Sequence, residues 1–144
     1  MKRIVLILVL FTFYLSSAQE WHVNFSEAQT LAKEQNTKML ILFSGSDWCV
    51  PCIKLDKTIF QTDEFKKYSE NLVLFRADFP KKKQNQLPEA QAQQNKQLAE
   101  RYNSEGVFPL VVVVNELGKV LGKMSYQNVS PEAYIEILDN IVKK

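Results

Sequence analysis

Residues 38–52 read Lys38-Met39-Leu40-Ile41-Leu42-Phe43-Ser44-Gly45-Ser46-Asp47-Trp48-Cys49-Val50-Pro51-Cys52. The continuous apolar run Met39-Leu40-Ile41-Leu42-Phe43 is what a strand shows when both of its faces are covered, because successive side chains point to opposite faces. Ser44-Gly45-Ser46-Asp47 interrupts it with turn-forming residues. A helix is expected from about residue 49 to 60, with Pro51 in its first turn, where a missing N–H breaks no helical bond. A buried strand, a tight turn and a helix opening on two cysteines form the unit from which the rest of the chain is read.

Cys49 and Cys52 are three positions apart, so on a helix they share a face and their sulfurs can meet with little backbone movement. Cys49 falls at the helix amino terminus, where free N–H groups and the macrodipole favour the thiolate. Thiolate is the attacking species in disulfide exchange, so Cys49 is the expected nucleophile. Cys52, one turn further in, is expected to attack the mixed disulfide and release the product. Two other readings stay open on these residues. A structural disulfide would close too short a loop to constrain the unfolded chain much. A zinc site needs four ligands, and the thiols have only His22 to join them. His22 lies far upstream beside Trp21 and reads as a surface or packing residue, so no metal is expected.

Working outward, helix and strand patterns alternate. Ser26 and Gln29 read as a capping box for a helix carrying Phe25, Ala28, Leu31 and Ala32 on one face, and Asn36 ends it. Thr62 or Asp63 caps a short helix with Phe65 and Tyr68. Residues 72–78 read as a second strand, and residues 79–88 as a polar loop containing Lys81-Lys82-Lys83. A helix is expected over about residues 89–102, with Leu98 and Tyr102 as its apolar anchors and its glutamines as a solvated face. Leu110 to Val114 is the most strand-like run. Turn chemistry at Asn115-Glu116-Leu117-Gly118 and a returning strand over residues 119–125 make a hairpin. Ser130-Pro131 opens a last helix with Tyr134, Leu138, Ile141 and Val142 on one side. The expected class is α/β: a central mixed β-sheet flanked by helices, with a terminal antiparallel hairpin and a C-terminal helix.

The amino terminus reads as an address. Met1-Lys2-Arg3 precedes a mostly apolar run over residues 4–15, then Ser16-Ser17-Ala18. This is the pattern of a cleavable signal peptide, residues 1–18, leaving a domain of residues 19–144. Twelve helical residues span about 18 Å, short of the roughly 30 Å hydrocarbon core, although an uncleaved anchor is the competing reading. Export would place the mature chain in the periplasm or outside the cell, where disulfides form.

The whole chain has 144 residues, enough for one domain with a real core and too short for two. Its 11% aromatic content argues against disorder, and two cysteines are too few for a disulfide-stapled miniprotein. Of the 18 Lys and Arg, Lys2 and Arg3 go with the leader, leaving 16 basic residues against 16 acidic. A near-neutral mature chain lacks the electrostatic footprint of a nucleic-acid binder. No other stretch is long enough to span a membrane.

The strand Met39 to Phe43, Trp48-Cys49-x-x-Cys52 at a helix start, and the later Val107-Phe108-Pro109 entering a strand recur in the order seen in the thioredoxin superfamily. The match covers essentially residues 21–143. Phe43 to Cys49, followed by Asp78-Phe79-Pro80, resembles exported bacterial thioredoxin-like proteins, relatives of the thioredoxin-like domain of a transmembrane electron carrier. The resemblance implies a thioredoxin-like fold and a protein thiol–disulfide oxidoreductase. It further implies a redox pair serving as the redox group with no bound cofactor, protein or peptide thiols and disulfides as partners, and a membrane-bound electron donor. A monomer is expected.

The resemblance also assigns positions. Pro109 matches the family's cis-proline, which exposes the preceding backbone to substrate. Phe108 stands before it, bulkier than the family's usual residue and expected to narrow the groove. Trp48 resembles the aromatic shield beside the nucleophile. Asp47 reads as a solvated loop residue, and residues 79–88 as a solvated loop or a partner-docking edge. The family's buried strand acid is missing, since Ile41-Leu42-Phe43 is wholly apolar, so either the proton at the inner cysteine moves through water or another group, or turnover is slower. Val50-Pro51, with no histidine between the cysteines, tilts the reading toward a reductant. The alternative is a non-catalytic module that binds peptides or a partner beside Pro109 and keeps a structural disulfide.

Overall fold

The computed structural model describes residues 19–144; the expected signal peptide, residues 1–18, lies outside the described residues. β2 (Met39–Ser44) is buried along its whole length and runs through the centre of a five-stranded sheet. Parallel to it lies β3 (Val73–Asp78), and beyond that the short edge strand β1 (Trp21–His22). On its other side lie β4 (Leu110–Val114) and β5 (Val120–Met124), giving the order β1-β3-β2-β4-β5.

Period-two alternation sorts the core into two layers. Met39, Ile41 and Phe43 of β2 face α1 (Phe25–Glu34) and α4 (Glu89–Tyr102), meeting Ala28, Ala32, Leu98 and Tyr102. Leu40 and Leu42 face the opposite layer. It holds α2 (Val50–Leu55), a π-helical turn (Asp56–Phe60), α3 (Asp63–Tyr68) and α5 (Pro131–Val142), contributing Leu55, Phe60, Phe65, Tyr134 and Leu138. Each such side chain taken fully from water contributes about 1.5–3 kcal/mol before chain entropy is counted.

The expected α/β class stands, with three local differences. β4 pairs antiparallel with β2 as well as with β5, so the antiparallel half is larger than a terminal edge. β1 was not expected, because two residues are too few to show a period. The capping box at Ser26 and Gln29 is corrected: Asn24 is the N-cap, and its side chain accepts from the Glu27 N–H at 3.2 Å. The helix starts earlier because the Phe25 ring is anchored edge-on against Phe75. At its other end Asn36 takes a left-handed conformation, φ 49°, which asparagine tolerates better than most residues and which stops the helix.

Candidate active site

The carboxyl end of β2 leads into the turn that carries the cysteines. Cys49 N–H donates to Gly45 O at 2.9 Å, closing the turn, and Cys49 becomes the N-cap of α2. Its sulfur accepts from the Cys52 N–H at 3.3 Å, the geometry by which an N-cap side chain satisfies a free helical donor. Cys49 and Cys52 form a disulfide with their Cα atoms 5.2 Å apart. In this oxidised state both cysteines are buried, 4% exposed each. Bonding turns each sulfur toward the other, and the capping contact turns Cys49 back onto the helix.

Three consecutive residues fasten this turn to the end of β3 and the loop beyond. Ser46 donates through its N–H, at 2.9 Å, and its hydroxyl to the Asp78 carboxylate. Asp47 accepts from the Lys81 and Lys82 N–H groups at 2.9 Å each and from Asn85 Nδ2 at 3.0 Å. Trp48 Nε1 donates to Phe79 O at 2.8 Å. The reading of Asp47 as a solvated loop residue is therefore corrected: it organises the loop of residues 79–88. The Lys81 backbone N–H foremost, with Asn85 and Lys82, holds its carboxyl below the usual value of 3.8. Lys81 is also more than a solvated side chain, since its ammonium lies 3.8 Å from the centre of the Trp48 ring.

The segment before β4 reaches the same place. Phe43 of β2 pairs with Leu110, which puts Pro109 immediately beyond the end of the ladder, next to the turn. The Phe108–Pro109 peptide bond is cis, and Pro109 is buried with its carbonyl accepting from the Ser125 hydroxyl at 2.6 Å. The Phe108 ring is 5.7 Å from the Trp48 ring and 5.4 Å from Phe79, edge-to-face in both cases. Its bulk is thus used in an aromatic cluster that covers the end of the sheet. Trp48 itself is 37% exposed.

Cys49, Cys52, Trp48, Phe108 and Pro109 thus come from two distant segments that the β2–β4 pairing brings to one end of the sheet. His22 sits on the edge strand β1, paired with Phe75, and takes no part. Among the described residues no cluster of three or more His, Cys, Asp or Glu side chains could hold a metal, and no helix is long and apolar enough to cross a membrane. Sequence reasoning missed Ser46, Asp78 and the Asp47 contacts, all of which join residues more than thirty positions apart. It also missed the ion pair of Asp56 with Arg76, 2.7 Å between Oδ1 and Nη2.

Comparison with known proteins agrees with this architecture. Residues 20–116 match a family model described as thioredoxin-like. The chain is 34% identical over 125 residues to the disulfide bond reductase DsbH of Chlamydia pneumoniae, covering 86% of this chain and 73% of that protein. A solved structure of a DsbH oxidoreductase superposes with a TM-score of 0.81 at 32% identity, over 88% of this chain and 86% of that one. The oxidised C-terminal domain of Neisseria meningitidis DsbD shares the fold, with a TM-score of 0.57 at 19% identity over 81% of this chain and 90% of that one. The chain belongs to the thioredoxin-like family, and its place there is that of a thiol–disulfide oxidoreductase.

Proposed function

We propose that this protein is an exported disulfide reductase acting on protein or peptide disulfides. In the dithiol state the Cys49 thiolate attacks a substrate disulfide, forming a mixed disulfide and expelling one substrate thiolate. Cys52 then attacks Cys49 Sγ, releasing the second substrate thiolate and leaving the Cys49–Cys52 bridge. Two electrons pass from the protein to the substrate, and a thiol donor outside the domain, membrane-bound in this reading, must restore the dithiol.

The observation that carries the proposal is a closed Cys49–Cys52 bridge at the start of α2, with the Cys52 N–H directed at Cys49 Sγ. A donor aimed at that sulfur favours its anionic form, which makes Cys49 both the better nucleophile and the better leaving group. Trp48, Phe108 and the backbone at Pro109 are the proposed substrate contacts. The exposed Val50, next to Cys49, and Val107, next to Phe108, offer apolar surface suited to an unfolded peptide. The reductive direction is supported by the name of the Chlamydia pneumoniae relative and by Val50-Pro51 between the cysteines.

Export with cleavage after Ala18 accounts for the basic-apolar-small pattern of residues 1–18 and gives a mature domain of residues 19–144. Insulin reduction with dithiothreitol as donor tests the activity: the wild-type chain is expected to accelerate it and Cys49→Ser to return it to the uncatalysed rate. Cys52→Ser is expected to accumulate mixed disulfides through Cys49. Equal rates for wild type and Cys49→Ser would overturn the proposal. The amino-terminal residue of the chain recovered from the cell envelope tests the cleavage.

A further inference from the structure

Resolution by Cys52 requires that its thiol lose a proton, and the strand before the motif offers no acid: Ile41, Leu42 and Phe43 are buried in apolar surroundings. Cys52 instead lines a cavity of about 120 Å³ together with Ser44, Ser46, Asp56, Lys57 and Arg76. A water molecule needs roughly 10–15 Å³ of such space and polar partners, so this cavity is large and polar enough for several. Asp56 lies one helical turn beyond Cys52, its N–H bonded to Cys52 O, which sets the two side chains on one face. Its Oδ1 accepts from Arg76 at 2.7 Å, and its Oδ2 accepts from Gln61 Nε2. The Nε of Arg76 is buried without a hydrogen-bond partner, and its guanidinium lies over the Trp21 ring, 4.7 Å from the ring centre. Asp56 and Arg76 side chains are 27% and 25% exposed, so the cavity side of the pair communicates with bulk water.

We propose that Asp56, held in place by Arg76, exchanges the proton of Cys52 through solvent in this cavity. The inference rests on the reading of Cys52 as the resolving residue. In the mixed disulfide the Cys52 thiol passes its proton by way of water to the Asp56 carboxylate. The Cys52 thiolate attacks Cys49 Sγ, the Cys49–Cys52 bond forms, the Cys49–substrate bond breaks, and the substrate leaves as a thiolate that takes a proton from solvent. Asp56 then returns its proton to bulk water. The charged groups around the cavity are Asp56 and Lys57 from the helix, Arg76 from β3 and, behind Ser46, Asp78 at the end of β3. Its β2 wall contributes only the uncharged Ser44. Asp78 does not line the cavity, which leaves Asp56 as the carboxylate that shares it with Cys52.

The test follows formation and decay of the mixed disulfide with a fluorescent peptide disulfide, by rapid acid quench, from pH 5 to 9. Asp56→Asn is expected to slow decay by about a hundredfold near neutral pH, the lower end of general acid–base effects, with the gap closing as pH rises. Formation through Cys49 stays within about twofold of wild type, and Asp56→Glu restores most of the decay rate. Decay in Asp56→Asn with the wild-type profile, or slowed equally at every pH, overturns the inference. Arg76→Gln gives an independent reading if Asp56→Asn does not fold: decay is expected to slow near neutral pH with formation unchanged, and a wild-type decay rate overturns the inference as well. Cys52→Ser is measured alongside. Decay that survives it sinks the functional reading and this inference together, whereas decay lost there with an unchanged Asp56→Asn profile overturns only the inference.

Discussion

The ammonium of Lys81 lies 3.8 Å from the centre of the Trp48 ring, so the loop after β3 touches the residue that immediately precedes the first cysteine. The ring is held from its edge as well, by the bond from Nε1 to Phe79 O. A cation over an exposed indole contributes about 0.5–1 kcal/mol. Lys81→Met is expected to lower stability by that amount and to change Trp48 emission. Urea unfolding and fluorescence in a Trp21→Phe background, where Trp48 is the remaining indole, check both.

Gly45 is needed for space. A Cβ at this position would fall 2.4 Å from Trp48 Cε2, inside any real contact distance. Gly45→Ala is expected to displace the ring, break its bond to Phe79 O and cost about 1–3 kcal/mol, the usual range for overpacking. A thermal melt measures the loss, and the Trp48 indole N–H signal in an NMR spectrum should move toward its solvent-exposed position.

Acid should release the loop before it unfolds the core. The carboxyl of Asp47 is held below its ordinary value of 3.8 by the backbone N–H of Lys81 first, then by Asn85 and Lys82. A depressed folded-state value means that the contribution is fully present above the unfolded value and is lost as pH falls through the folded one. Amide exchange at Lys81 and Lys82 is therefore expected to lose protection below about pH 3.8, relative to the intrinsic rate, while Leu40 and Val112 in the central strands stay protected. Asp47→Ala should show the same loss of protection at neutral pH.

Asn95 of α4 is wholly buried and donates through Nδ2 to Asp78 O at 3.0 Å. Asp78 in turn holds Ser46 in the cysteine turn. Asn95→Ala leaves the partly buried Asp78 carbonyl without this partner, which costs about 1 kcal/mol. Chemical denaturation is expected to show that loss. A smaller rise in the exchange rate of the Ser46 amide would follow from the loosened end of β3.

The residues that define the class of this protein are local in sequence. An apolar strand, a polar turn and two cysteines at helical spacing are legible without a partner, because side-chain alternation and helix capping depend only on neighbours a few positions away. The helices of residues 89–102 and 131–142 are legible for the same reason. β1 was not, since Trp21 and His22 become a strand only by pairing with Leu74 and Phe75.

Within the site, sequence determined the redox pair, its place at a helix start and, through resemblance, the cis bond before Pro109. Only the tertiary structure decided how those parts are held. Asp47 reaches across more than thirty positions to Lys81 and Lys82, Trp48 packs between Lys81 and Phe108, and Asp56 meets Arg76 beside Cys52. None of these contacts leaves a periodic or spacing signal, because hydrogen bonds and ring contacts between distant segments depend on where the sheet brings the chain together. The hydrophobic pattern specifies the sheet; the sheet, once formed, chooses which polar residues become neighbours.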